Sequence, residues 1–535
     1  MLLPLITVAA LAFQVSESIE VRVVNVDVVV TDRDGKPVTG LTKDDFEILE
    51  EKTPQVITNF YEVRGGVPAE PGAEKSAIAL RPRSFIFFID NRTMHPVLRK
   101  DVTAQMAKFV DTAIGPNDQV SVVTWDGTFR ILTPLTSDKT VMHKAIDIVA
   151  GTGTPMSVKS DFQRVQEECN RSLKMPGVPV KLAYDQCIGS ARIEAQRMTA
   201  YSRLMLNAVE LAMSTVAGVE GKKVLVFAGT DLPARPGQDL FQWANGRFQP
   251  YMRGFDAPIE QAPMEYRDQQ RAVLESITRT ANANGVTLYP ISALMPVDLN
   301  VMQSATAIED SGGGSLRSDN TDAAHDMLAR MTGGTSAPLS RMSALLDTLR
   351  HDLDSYYSLG YHPSVDKRGD RPISVRARNR AYTVRARQSY AYKTFDDQMR
   401  DRAIANIYTP ARESDWKIQL HTGKPKLVKK GQYSVPIEIV APPNVTLLPR
   451  DGKLAGGFVV YLAVGNAQGA LSTTFRQPNG VEITPAEEAG FRRTPLTFGA
   501  DLSLREGENL ISVALVDQAS GSMGFARATV IASGE

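Results

Sequence analysis

The sequence has no surplus of charge. Sixty lysines and arginines face sixty aspartates and glutamates along 535 residues, and the pI is about 7.0. Proteins that bind nucleic acid gather a basic surplus on one face, so no nucleic-acid partner is expected. Long hydrophobic runs are scarce too. No stretch approaches the ~20 consecutive apolar residues of a spanning helix, so no transmembrane span is expected. Cysteine is almost absent, with only Cys169 and Cys187 present. In an oxidising compartment these two can pair across the short segment between them. In a reducing one they stay separate buried thiols, and the sequence leaves both readings open.

Signatures of several catalytic classes are missing as well. The six histidines, His95, His143, His325, His351, His362 and His421, show no H-E-x-x-H spacing, which argues against a zinc protease. No G-x-S-x-G nucleophile elbow occurs. The glycines of "GTGTP" and "DSGGGSLRSD" are not followed by Gly-Lys-Ser/Thr, so phosphate cradling has little support, and the second stretch reads as a flexible loop.

What is present is a change of rhythm along the chain. At this length about three domains are expected, taking roughly 150 residues for each. The opening "MLLPLITVAALAFQ" is apolar and contains the small-x-small Ala10-Leu11-Ala12, although no positive residues precede the run. Residues 1–17 are therefore read as a signal peptide and the protein as exported, periplasmic or extracellular. In 18–64, Val24, Val26, Val28 and Val30 alternate before an Asp34-Gly35 turn, which predicts a small N-terminal β module. The Pro-, Gly- and Ala-rich residues 65–82 read as a linker.

From 83 to 300, strands alternate with helices. "SFIFFID", "QVSVVTWD", "KKVLVFAGTD" and "VTLYPIS" read as strands. Helical spacing marks "VLRKDVTAQMAKFVDTAI", the residues around Val141 to Val149, those from about Met198 to Val216, and "QQRAVLESITRTANANG", which stops at Asn284-Gly285. The alternation predicts a doubly wound, mostly parallel sheet covered on both faces. Ligands of such sheets lie at the carboxyl ends of the strands, where Asp90 and Asp231 both fall.

Two insertions interrupt this domain, 157–190 with both cysteines and 232–260. In the second, Phe241, Trp243, Phe248, Tyr251 and Phe255 could serve recognition. Packing onto their own domain is the preferred reading, because large exposed apolar patches are rare. Residues 301–395 are expected to add a C-terminal helix and a β-extension to the α/β domain. There Arg376, Arg378, Arg385 and Arg387 alternate along two "VRAR" strands and read as a solvated face rather than an anion site. From 412 to 535 the helical rhythm disappears, and short strands between Gly, Pro and Asn predict an immunoglobulin-like β-sandwich. The fold class is thus multidomain α/β plus β.

The stretches "VDVVVTDRDGKPVTGLTKDDFEILE", "FFIDN", "VSVVTWDGTFRILTPLTSD" and "DLDSYYSLGYHPS", the last followed by "ISVRARNRAYTVRARQSY", carry a resemblance. Together they resemble the bacterial VWFA-related proteins, described chiefly from acidobacteria, and the sheet domain resembles the von Willebrand factor type A fold. The likeness spans most of Val21 to Tyr390. It implies a domain that often carries a metal-ion-dependent adhesion site: Asp-x-Ser-x-Ser after the first strand, a Thr from a second loop and an Asp from a third. Hydroxyls with few carboxylates leave Mg²⁺, which wants six oxygens at about 2.1 Å, able to bind a partner's carboxylate.

Carried over, the first Asp is Asp90, the third-loop Asp is Asp231, and the loop Thr is Thr152 or Thr154. Mg²⁺ or Mn²⁺ would then be held by Asp90, Thr152 and Asp231. The two serine positions, however, are Arg92 and Met94, and neither offers a hard cation an oxygen. The site is therefore read as degenerate, with no cofactor expected. Asn91 and Thr93 would supply oxygens only after a shift of the loop. Arg92 is expected to set its guanidinium near Asp90 or Asp231 in place of the ion. The binding-loop candidates are Asp90, Asn91, Arg92, Thr93, Thr152, Thr154 and Asp231.

The function so implied is protein–protein recognition or adhesion at the cell envelope by a non-enzymatic protein. A metal-dependent hydrolase built on Asp90 and Asp231 is the rival, but it lacks a positioned base and nucleophile. A purely structural envelope component, with the sandwich carrying the interaction, is the third reading.

Overall fold

The computed structural model describes residues 23–65, 67–68, 83–152, 161–230, 232–252, 261–294, 312–363, 369–411, 414–466, 469–472 and 474–533. The expected leader, most of the expected linker, and Thr154, Asp231 and Phe255 lie outside the described residues. The chain divides into two compact units, one taking Arg22–Met213 with Gly221–Tyr392, the other Ser214–Glu220 with the residues from Lys393 onward.

In the first unit six strands form a sheet in the order Ala337–Pro338, Val286–Ser292, Lys223–Gly229, Ser84–Asp90, Gln119–Trp125, Phe129–Thr136. The first five run parallel and the sixth antiparallel. Every residue of Ser84–Asp90 and of Lys223–Gly229 is buried, as unbroken apolar runs covered on both faces require. Side chains alternate across a strand. Phe85, Phe87 and Ile89 share a core with Leu98, Val102 and Met106, Met142 and Ile146, and Leu345 and Leu349, from the helices Pro96–Ala113, Lys139–Gly151 and Met342–Asp354. Phe88 lies 5.7 Å from Phe227, which meets His325 of the helix Gly312–Thr332 edge-on at 5.4 Å. The expected α/β sheet is present.

Several expectations change. The helix expected from about Met198 begins at Val180 and runs 35 residues to Ser214. With the helix Asp161–Lys174 it makes the cysteine-bearing insertion helical, and a disulfide joins Cys169 to Cys187. Residues 232–260 hold the helix Gln238–Phe248, whose Phe241, Trp243 and Phe248 are buried beside Tyr184 and Ile188, whereas Tyr251 is exposed. The "DSGGGSLRSD" stretch, expected as a loop, is helical from Gly312 onward. Its three glycines form the first turn, and later turns bury Ala324, Leu328 and Ala329, which holds the helix against the sheet domain.

The N-terminal strands do not stand alone, and 355–392 do not extend the parallel sheet. Val24–Thr31 pairs with Ser355–Tyr361 and Thr383–Ala386, Ile57–Arg64 pairs with Ser355–Tyr361, and Phe46–Glu50 pairs with Gly369–Ala377. All are antiparallel and share one core of Val26, Val28, Val30, Phe46, Ile48, Tyr357, Leu359, Tyr361, Ile373 and Tyr390. Each piece has too few strands to bury its apolar face unaided. Arg376 and Arg378 are exposed as expected, but the second pair is not a solvated face. Arg385 makes a two-point ion pair with buried Asp352 at 2.8 and 2.5 Å, and Arg387 donates to the carbonyls of Asn282 and Asn25.

The second unit is a sandwich of two antiparallel sheets. One holds Gln419–Thr422, Lys426–Lys429, Gln432–Ala441 and Leu496–Arg505; the other holds Leu448–Arg450, Lys453–Gly465, Phe475–Ile483, Gly507–Asp517 and Met523–Ala532. Val435, Ile437 and Ile439 face Phe458, Val460, Leu462, Ile511 and Val513 around Trp416. On the outer face of the second sheet Val459, Tyr461 and Ala463 are also buried. The helix Phe395–Tyr408 packs there, with the Asn406 amide donating to Ser512 Oγ at 2.9 Å. The unit therefore begins near Lys393, earlier than the expected 412, because the sheet needs this helix to cover its second apolar face. Among the described residues no helix is long and apolar enough to cross a membrane.

Candidate functional site

Asp90 is the last residue of its strand and fully buried. The strand ladder continues one step beyond it, with Asn91 N–H donating to the Trp125 carbonyl at 2.8 Å. The chain then turns back on the carboxylate: Arg92 N–H donates to Asp90 Oδ1 at 3.1 Å, and Thr93 Oγ1 donates to Oδ2 at 2.7 Å. Short polar side chains next to an Asp favour such local turns.

The decisive partner comes from the long helix. Tyr201 Oη lies 2.9 Å from both carboxylate oxygens of Asp90. Thr93 Oγ1 is also hydrogen-bonded to Thr230, at the end of the neighbouring strand, and lies 3.4 Å from Tyr201 Oη. The Tyr201 ring is held edge-on by Trp125, with centroids 5.0 Å apart. The Arg92 guanidinium lies 5.0 Å from the Tyr201 ring centroid and is exposed to solvent. It was expected near Asp90 or Asp231; toward Asp90, the backbone N–H of Arg92 makes the contact, and the Thr93 and Tyr201 hydroxyls supply the side-chain donors. A guanidinium gains from stacking on a ring while its remaining faces stay hydrated.

The second loop is tied in beneath. Asn91 Nδ2 donates to the Thr152 carbonyl at 3.0 Å, and the buried Arg99 donates to Thr152 O at 2.8 Å and Met94 O at 2.9 Å. Burial pushes Arg99 below the usual guanidinium range, and the charge of Asp90 works the other way. Thr152 Oγ1 donates back to the Ile148 carbonyl at 2.6 Å, where it closes its own helix. The structure thus gathers Asp90, Asn91, Arg92 and Thr93 with Thr152, whose hydroxyl also accepts from Asn91 Nδ2 at 3.4 Å.

Of the positions that the resemblance would assign to an ion, Thr154 and Asp231 lie outside the described residues, and the described ones are engaged as follows. Both Asp90 oxygens already accept hydrogen bonds, Met94 is buried in the core, and no group of three acidic, histidine or cysteine side chains stands together among the described residues. An octahedral Mg²⁺ needs several converging oxygens that are free to accept it. Tyr201, Arg99 and Thr230 were missed by sequence reasoning. Tyr201 falls within the helical run from about Met198 to Val216, whose spacing marks its ring and not its hydroxyl, although a buried tyrosine hydroxyl normally finds a partner.

No family model and no curated protein matches the chain. Among solved structures, the chain is similar to an aerotolerance-related membrane protein from Bacteroides fragilis NCTC 9343, at 11% identity over 51% of this chain and 98% of that one, with a TM-score of 0.23. It is also similar to the vWF domain of the type V pili tip protein Mfa5 from Porphyromonas gingivalis, at 12% identity over 51% and 95%, with a TM-score of 0.24. A third likeness is to proximal thread matrix protein 1 from the mussel byssus, at 11% identity and a TM-score of 0.24, where the match takes 53% of this chain and 47% of that one. Scores this low carry no argument, and the α/β topology rests on the strand pairing described above.

Proposed function

We propose that this protein is an exported, non-enzymatic recognition protein whose carboxyl-edge loops bind a protein partner without a metal ion. The observation that carries this reading is the Tyr201 hydroxyl bonded to both oxygens of Asp90, with Arg92 stacked on the outer side of the same ring. In this reading the tyrosine hydroxyl serves Asp90 in place of a cation, and Arg92 supplies a positive charge at the same edge. An acidic side chain of the partner is the complementary group, since guanidinium and carboxylate pair at two points. A hydrolase reading would need Asp90 free as base or ligand, and its hydrogen bonds to Tyr201, Thr93 and Arg92 speak against that. The Cys169–Cys187 disulfide supports an oxidising compartment.

The test compares proteins from the source cell's envelope retained on immobilised wild-type chain and on Arg92→Glu, both in EDTA. A partner held by the wild type and lost from Arg92→Glu is the expected result. Retention that requires Mg²⁺ or Mn²⁺, or that ignores the Arg92 charge, would overturn the reading.

A further inference from the structure

The opposite edge of the same sheet holds a second polar site. A cleft of about 460 Å³ opens at the amino ends of the strands that begin at Lys223 and Val286, and it is lined by Asn25, Asp27, Lys222, Asn282, Ser358 and Arg387, among others. The cleft lies within the first unit, between the parallel sheet and the small β assembly. Its size is in the range of small-molecule sites, roughly 300–1,000 Å³.

Two cations, Lys222 and Arg387, line it, and Arg387 makes no ion pair among the described residues. Lys222 Nζ sits 3.7 Å from the Tyr356 ring centroid and 3.8 Å from Asp27, and donates to the Asp352 carbonyl at 3.4 Å. Arg387 spends both terminal nitrogens on the carbonyls of Asn282 and Asn25, at 3.1 and 2.7 Å, and its buried Nε–H has no partner among the described residues. Burial pushes both groups below their usual ranges, and Asp27 acts on both in the other direction. Asp27 is a single carboxylate, 42% exposed. The nearby Asp118 is taken up by Arg83, and Asp352 by Arg385.

Two further lining residues carry orphan groups. Among the described residues the hydroxyl of Ser358, 1% exposed, has no hydrogen-bond partner, and the Oδ1 of Asn282, 2% exposed, accepts nothing. Buried polar atoms without partners are rare in native structures and call for an explanation such as an unseen ligand. Here the orphans are one guanidinium N–H, one hydroxyl and one amide oxygen. The first calls for an acceptor and the last for a donor. A simple carboxylate offers acceptors only, whereas a singly protonated phosphate offers acceptor oxygens and one P–OH donor.

We infer that this cleft binds a small phosphate-bearing anion, with Lys222 and Arg387 neutralising its charge and Ser358 and Asn282 completing its hydrogen bonds. Inorganic phosphate would occupy only part of the volume, which leaves room for the organic part of a phosphate monoester.

Thermal unfolding of the full chain at constant ionic strength tests this, with inorganic phosphate, glycerol 3-phosphate and acetate titrated separately against chloride. Saturable stabilisation by one or both phosphate species and not by acetate is expected, because a ligand that prefers the native state raises its melting temperature. Phosphate alone active would place a free oxyanion there, and stronger binding of glycerol 3-phosphate would place a monoester. Lys222→Gln should weaken binding by about tenfold or more, the loss expected of a charge-assisted contact. Asp27→Asn alters a half-exposed side chain and should tighten binding. No saturable response to either phosphate species in both the wild type and Asp27→Asn would overturn the proposal, as would an equal response to acetate.

Discussion

Two buried side chains set the clearest expectations at the scale of single residues. Tyr201 satisfies a buried carboxylate, so Tyr201→Phe leaves Asp90 short of a donor while keeping the ring under Arg92. Leaving a buried polar group unpaired costs about 1–3 kcal/mol, and the urea midpoint of Tyr201→Phe should fall accordingly without a change in slope. His325 is the second. It is buried against Phe227, both its ring nitrogens lack partners among the described residues, and burial lowers its pKa from 6.5 to about 3. Between these two values the unfolded chain binds a proton that the folded chain refuses. Stability is therefore full above pH 6.5 and falls as the pH drops toward 3. From neutral pH to pH 4 the loss should approach roughly 3 kcal/mol at about 1.4 kcal/mol per pH unit. Urea unfolding across that range should be flatter in His325→Leu than in the wild type. Asp90 was legible in the sequence because an acid closing an apolar strand breaks the pattern. Tyr201 was not, since its ring obeys the helical pattern and only its hydroxyl does not.

At the scale of elements, the strongly periodic segments were read close to their observed limits. The strand Val286–Ser292 and the end of the helix at Asn284 match expectation, the latter because Gly285 adopts the left-handed conformation, φ +64°, that stops a helix cheaply. The helix Asp161–Lys174 and the first turns of Val180–Ser214 were read as an insertion because their buried face is made of small and mixed residues, Ala183, Cys187, Ala191 and Ala195 among them. Such a face gives a weak apolar signal and becomes stable only against a neighbour. The disulfide is part of that neighbour contact. Cys169 and Cys187 are 18 residues apart, and closing a loop of that length in the unfolded chain is worth about 3 kcal/mol. Cys169→Ser with Cys187→Ser, or the wild type in reductant, should lose about that much in chemical denaturation. An unchanged midpoint would mean that the packing of Tyr184, Phe241 and Phe248 holds the pair without it.

At the scale of the whole molecule, connectivity is the main departure from what a linear reading suggests. The strand Val24–Thr31 finds its partners at Ser355–Tyr361 and Thr383–Ala386, with the entire parallel sheet in the chain between them. Composition and periodicity identified both sets of strands, yet they are silent about which distant strand pairs with which. That pairing creates the cleft in which Lys222 and Arg387 come together, from positions far apart in the chain. The Arg387 strand looked like a solvated face because alternation alone reveals sidedness and not what lies opposite.

The sequence by itself determined the classes of element, the parallel α/β sheet and the β-rich C-terminal unit, because hydrophobic period and turn chemistry are local properties of the chain. It also placed Asp90 at the carboxyl edge, followed by Arg92 and Met94. Only the tertiary structure decided what meets the Asp90 carboxylate, a hydroxyl from a helix more than one hundred residues away, and what Arg385 and Arg387 of the second "VRAR" strand bond to. Both depend on long-range packing, which brings together groups whose spacing along the chain carries no record of their meeting.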